Sequence, residues 1–91
     1  MNVIRISEAT AHDLAKKNEV VFMKNATPAE YITYTEVATL NLGADTYTEV
    51  EITEEERKTY SLITYHYISY NESSYPVRYE TKPFLEKDIT P

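Results

Sequence analysis

The sequence predicts an α+β domain in which one N-terminal helix packs on a mostly antiparallel sheet of four to five strands. Three observations predict it. Residues 8 to 17 combine helical apolar spacing with capping signals, several later segments alternate with the period of two that a pleated strand imposes, and the stretch after residue 58 is rich in tyrosine, isoleucine and threonine. The chain has 91 residues, a length at which folding removes roughly 60 to 70% of the unfolded surface from water, so a single domain with a thin core is expected.

Val3, Ile4 and Ile6 make a short β-rich start. Ser7 then caps a helix over 8 to 17, in which Ala11, Leu14 and Ala15 recur at three to four residues, Glu8 suits the N-terminal end of the dipole and Lys16 and Lys17 the C-terminal end. Asn18 stops it. Residues 19 to 24 hold the apolar run Val20, Val21, Phe22 and Met23, too short for a helix and suited to a strand buried on both faces. Residues 28 to 42 carry opposed signals. Thr27, Pro28 and Glu30 form a capping box with proline at the first helical position, and Gly43 would close a helix. Yet the apolar residues fall on every side of a helical wheel, whereas with period two Ile32, Tyr34, Ala38, Leu40 and Leu42 share one face. The period-two pattern predicts a strand over 31 to 42.

Gly43, Ala44 and Asp45 turn the chain into a strand over 46 to 53, with Val50 and Ile52 opposite Asp45, Tyr47, Glu49 and Glu51. Thr53 and Glu56 form another capping box, which predicts one helical turn through Lys58. The longest strand is expected over 59 to 70, then a turn at Asn71 to Ser74, then a strand over 75 to 82. Pro76 cannot donate to a ladder, which places that last strand at a sheet edge. Phe84 and Leu85 are expected to fold back onto the domain.

The net charge of −6 is confined to one block. Residues 29 to 56 carry Glu30, Glu36, Asp45, Glu49, Glu51, Glu54, Glu55 and Glu56 with no lysine or arginine, while each flanking segment comes to +1. Nucleic acid is a poor partner for such a chain, because binding phosphates requires cations that replace their counterions. No apolar stretch is long enough to span a membrane and no signal peptide is evident, so a cytoplasmic protein is expected.

Catalytic signatures are missing. With no cysteine there is no disulfide, thiolate zinc site or thiol nucleophile, and one glycine cannot supply a phosphate-cradling loop. Glu49 and Glu51, about 6.6 Å apart along a strand, have a separation that acid and base work on a glycoside could use, but two glutamates flanking a valine are commonly a solvated face. Glu54, Glu55 and Glu56 lack the alternating ligands and central glycine of a calcium loop, so no metal and no cofactor are expected. His12 and His66 are the only histidines, and spacing brings no nucleophile and orienting acid to either.

The nine tyrosines carry more information. In the longest strand Tyr60, Leu62, His66, Ile68 and Tyr70 share one face and Ile63, Tyr65 and Tyr67 the other. Either both faces are internal, with the helix on one and Phe84 and Leu85 on the other, or one is buried by a partner. A homodimer is expected, using Tyr65 and Tyr67 or the edge strand around Val77.

Ile6, Ser7, Glu8, Ala9 and Leu14, followed by Glu19, Val20, Val21 and Phe22, resemble the opening of prevent-host-death type antitoxins, in which a short strand and helix precede a paired strand. The resemblance covers under a third of the chain. The linker is shorter here, the glycine before the second strand is absent and the acidic balance does not suit operator binding, so no residue roles carry over. In size, acidity and tyrosine content the chain is also similar to small phage-encoded accessory proteins that inhibit host defence enzymes, without a motif behind the likeness.

The function expected is that of a non-enzymatic binding protein. Its acidic surface, Glu36, Asp45, Glu49, Glu51, Glu54, Glu55 and Glu56, would engage a basic groove on a nucleic-acid-handling or defence enzyme, in the strongest version by mimicking nucleic acid. The alternative is an oligomeric nucleotide-binding protein in which Tyr65, His66, Tyr67 and Tyr70 of neighbouring subunits form an aromatic pocket and Arg78 meets a phosphate.

Overall fold

Adjacent apolar residues in a strand point to opposite faces, so a sheet whose inner strands read Val3-Ile4, Val21-Phe22, Tyr31-Ile32 and Leu62-Ile63 must be covered on both sides. The computed structural model, which describes residues 2 to 85, shows that arrangement. Six strands form one antiparallel-paired sheet: β1 (Asn2–Ile6), β2 (Val21–Lys24), β3 (Glu30–Thr33), β4 (Tyr47–Glu51), β5 (Tyr60–Tyr70) and β6 (Ser73–Pro83). Their spatial order is β4-β1-β3-β2-β5-β6. The α+β class holds, with six strands in place of four to five. The added strand is β1, which pairs with β3 on one side and β4 on the other. Its run Val3, Ile4, x, Ile6 has no strand-like alternation because Val3 goes to one core and Ile4 and Ile6 to the other.

Three crossovers cover the sheet. Since β1 and β2 each run antiparallel to β3, they are mutually parallel and need a long connection. It is α1 (Glu8–Lys16), capped by Ser7, whose side chain accepts from the Thr10 N–H. Its buried Ala11, Leu14 and Ala15 pack on Ile4, Ile6, Val21, Tyr31 and Ile63. Asn18, at φ 67°, takes the left-handed conformation and ends the turn, as expected.

The second crossover corrects the strand expected over 31 to 42. The strand stops at Thr33, a fully buried residue whose hydroxyl donates to the Val20 carbonyl and accepts from the Thr35 N–H. The chain then forms α2 (Val37–Leu40), closed by Asn41 in the left-handed conformation. Val37, Leu40 and Leu42 thereby join the α1 side of the core, a gain that outweighs continuing the period-two pattern into solvent. The capping box at Thr27 starts no helix, because Glu30 already belongs to β3. Helices are therefore not confined to the N-terminus.

The third crossover runs from β4 to β5 across the opposite face. The capping box at Thr53 is present: the Glu56 N–H donates to Thr53 Oγ1 at 3.0 Å and the Thr53 N–H to Glu56 Oε1 at 3.3 Å, forming α3 (Glu54–Arg57). Beneath it Val3, Phe22, Ile32, Ile52, Tyr60 and Leu62 make the second core. Phe84 closes that core, stacked on Phe22 with centroids 3.7 Å apart. Leu85, expected beside it, is 47% exposed instead.

The β5–β6 hairpin outgrows the sheet. β2 pairs only with Tyr60 to Ile63, so from Thr64 onward β5 is laddered to β6 alone. β6 is an edge strand throughout, as Pro76 implies, and the register shifts between His66 and Tyr67, opposite Pro76 and Val77.

Candidate functional site

The other edge of the sheet carries the carboxylates. In β4, Glu49 lies opposite Ile4 and Glu51 opposite Asn2, so the two share a face at the strand repeat of about 6.6 Å. Above them the chain leaves β3 through Tyr34 and Thr35 to Glu36, the residue that precedes α2. Its side chain makes no capping hydrogen bond. Together these segments border a groove of about 510 Å³, lined by Asn2, Ile4, Tyr34, Glu36, Glu49 and Glu51 among others, with no lysine or arginine among the described residues of its wall.

The acidic surface read from the sequence thus divides. Glu36, Glu49 and Glu51 come together around the groove. Asp45 sits exposed in the turn before β4 and does not line it. Glu54, Glu55 and Glu56 belong to α3 and have local partners: Arg57 Nε is 3.3 Å from Glu54 Oε2, Lys58 Nζ is 3.6 Å from Glu55 Oε1, and Glu56 closes the capping box. The cations that neutralise this turn lie just beyond the acidic block in sequence. Glu30, within the block, accepts from the Tyr60 hydroxyl and lies 4.0 Å from Lys24 Nζ.

The tyrosines also divide, because β5 passes alternate side chains to opposite faces. Tyr65 and Tyr67 lie under α1, where the Tyr65 hydroxyl is hydrogen-bonded to His12 Nδ1 and the Tyr67 hydroxyl donates to the Lys16 carbonyl. His12 stands edge-on to Tyr31, Tyr65 and Tyr79, with centroids 5.5 to 5.8 Å away. Spacing in the sequence gives no sign of this cluster, whose members are separated by up to 67 positions and have no shared motif. Burial raises the pKa of Tyr31 and of Tyr65, with smaller contributions from Glu8 and neighbouring tyrosines at Tyr31 and from Tyr79, Tyr67 and Asp13 at Tyr65. The opposite face of the hairpin carries His66, whose Nε2 is 2.8 Å from Glu80 Oε2, and Arg78, whose Nη2 is 2.8 Å from Glu80 Oε1. The hydrogen bond from His66, and after it the Arg78 charge, hold the Glu80 carboxyl below the usual carboxylate range. Tyr70, near the hairpin tip, is 65% exposed.

One chain therefore does not bring Tyr65, Tyr67, Tyr70 and His66 into a common pocket. The helix claims the first two, so they are not the free aromatic face expected for a dimer. Among the described residues no three histidine or carboxylate side chains converge as metal ligands would. No helix there is long and apolar enough to cross a membrane.

Comparison of the chain with protein families, with curated proteins and with solved structures finds no match. The groove geometry carries the functional argument alone.

Proposed function

We propose that this protein acts by binding, without catalysis, and that the groove at the β4 edge receives a basic, extended segment of a partner protein. The observation that carries the reading is the convergence of Glu36, Glu49 and Glu51 on one groove, beside a strand that is paired on one side only among the described residues. An open strand edge offers main-chain donors and acceptors to an added strand, and alternate side chains of that strand then fall on one face. Lysine or arginine at every second position of the segment would meet Glu49 and Glu51 in turn. A surface evolved for phosphates presents such cations, so the partner class favoured is a nucleic-acid-handling enzyme, which the protein would inhibit by occupying its phosphate-binding surface. Steering by opposite charge accelerates such an encounter.

The test compares capture of partners from cell extract by the parent chain and by a variant carrying Glu36→Lys, Glu49→Lys and Glu51→Lys. A protein held by the parent, lost by the variant and displaced by added duplex DNA is the expected result. The control Glu54→Lys with Glu55→Lys should retain it, since those carboxylates already face Arg57 and Lys58. Undiminished capture by the triple variant sinks the reading.

A further inference from the structure

The β5–β6 hairpin presents an edge of a different character. Ile68, Tyr70, Tyr75, Val77 and Tyr79 are all about half exposed or more, and among the described residues no strand lies beyond β6. Along β6 the charges alternate in sign on one face, Arg78, Glu80 and Lys82, with Val77, Tyr79 and Thr81 between them. Arg78 and Glu80 are exposed, at 66% and 47% for their side chains.

We infer that the β6 edge pairs with β6 of a second copy of this chain, antiparallel about a two-fold axis at Tyr79. Pairing identical strands about an axis normal to the sheet sets residue k opposite itself and its neighbours opposite each other. An axis at Arg78 or at Glu80 places like charges in direct opposition, which destabilises a strand pair. An axis at Val77 leaves Glu80 opposite Ser74, and one at Thr81 pairs only residues 79 to 83. The axis at Tyr79 lies clear of the register shift at Val77 and sets Arg78 opposite Glu80 of the second copy, twice by symmetry. The two Tyr79 rings then become cross-strand neighbours. Each Glu80 lies between its own Arg78 and the Arg78 of the second copy. The β4 edge is the poorer choice for self-pairing, because an axis at Val50 opposes Glu49 to Glu51. The two edges thus sort their occupants by charge: a basic segment at β4, a second copy at β6.

Sedimentation equilibrium of the full chain at micromolar concentration is expected to return about 21 kDa, twice the 10.6 kDa of one chain. Arg78→Glu and Glu80→Arg should each weaken the dimer at least about tenfold, since each variant opposes like charges. Mixing the two variants in equal amounts should restore it, because Arg78→Glu in one chain then faces Glu80→Arg in the other. A parent chain that stays at 10.6 kDa at high micromolar concentration overturns the inference. So does an Arg78→Glu variant that dimerises as tightly as the parent, or a mixture of folded variants that remains monomeric. Circular dichroism of each variant reports its fold.

Discussion

At the scale of the residue, Phe84 shows how much a late side chain can decide. It follows the last strand, yet it is 4% exposed, stacks on Phe22 and lies under the Arg57 guanidinium at 5.4 Å from the ring centre. Arg57 Nη1 also donates to the Phe84 carbonyl at 3.1 Å, which ties the third crossover to the end of the hairpin. Phe84→Ala empties a ring-sized space between β2 and that crossover, and the expected loss is about 3 to 5 kcal/mol. Leu85→Ala, at an exposed position, should stay within about 0.5 kcal/mol. Urea unfolding followed by circular dichroism measures both, and equal losses would contradict the placement of Phe84. That this phenylalanine folds back was legible in the sequence from Pro83 before it. That Leu85 does not was illegible, since nothing in the dipeptide says which ring or chain has a gap to fill.

At the scale of the element, local chemistry predicted three of the turns and caps correctly. Ser7 caps α1, Asn18 ends it, and Thr53 with Glu56 builds α3, because each of these motifs is satisfied by atoms within a few residues. Thr53→Ala is expected to lower stability by about 0.5 to 2 kcal/mol, and Thr53→Ser to retain most of it. The effect reaches beyond one turn, since α3 carries the chain over the second core. An unfolding midpoint unchanged in Thr53→Ala would show that Arg57 and Ile52 hold the crossover without the cap. The segment 31 to 42 failed for a different reason. Its period-two pattern and its capping box were both locally plausible, and neither prevailed. Val37 and Leu40 from the short helical turn, and Leu42 just after it, pack on the α1 side of the core.

At the scale of the whole molecule, a sheet buried on two sides sequesters hydroxyl-bearing rings that must remain neutral. Tyr60 is 2% exposed; burial, and next the Glu30 charge, raise its pKa, as burial does for Tyr31 and Tyr65. A raised pKa means that the folded chain holds the proton more tightly than the unfolded one. The associated stability is fully present below the ordinary tyrosine pKa of about 10 and is lost as pH rises through the folded value. Stability is therefore expected to fall above about pH 10, less steeply in Tyr60→Phe than in the parent. Parallel slopes in urea unfolding across that range would refute the assignment to Tyr60.

What the sequence determined by itself depends on near neighbours or on composition. The α+β class, α1 and its caps, the turn at Thr53, the edge placement of the Pro76 strand and the concentration of negative charge in residues 29 to 56 all belong to this group. The tertiary structure decided which carboxylates lie together. Crossing strands bring Glu36 beside Glu49 and Glu51, while Arg57 and Lys58 fold back on Glu54 and Glu55. It also decided that Tyr65 and Tyr67 serve the helix and not an open face, and that β1 is an inner strand. The physical reason is the same in each case. Strand order and the side on which a crossover passes depend on pairings between residues far apart in the chain, and a strand buried on both faces has no alternation by which its place in the sheet could be read.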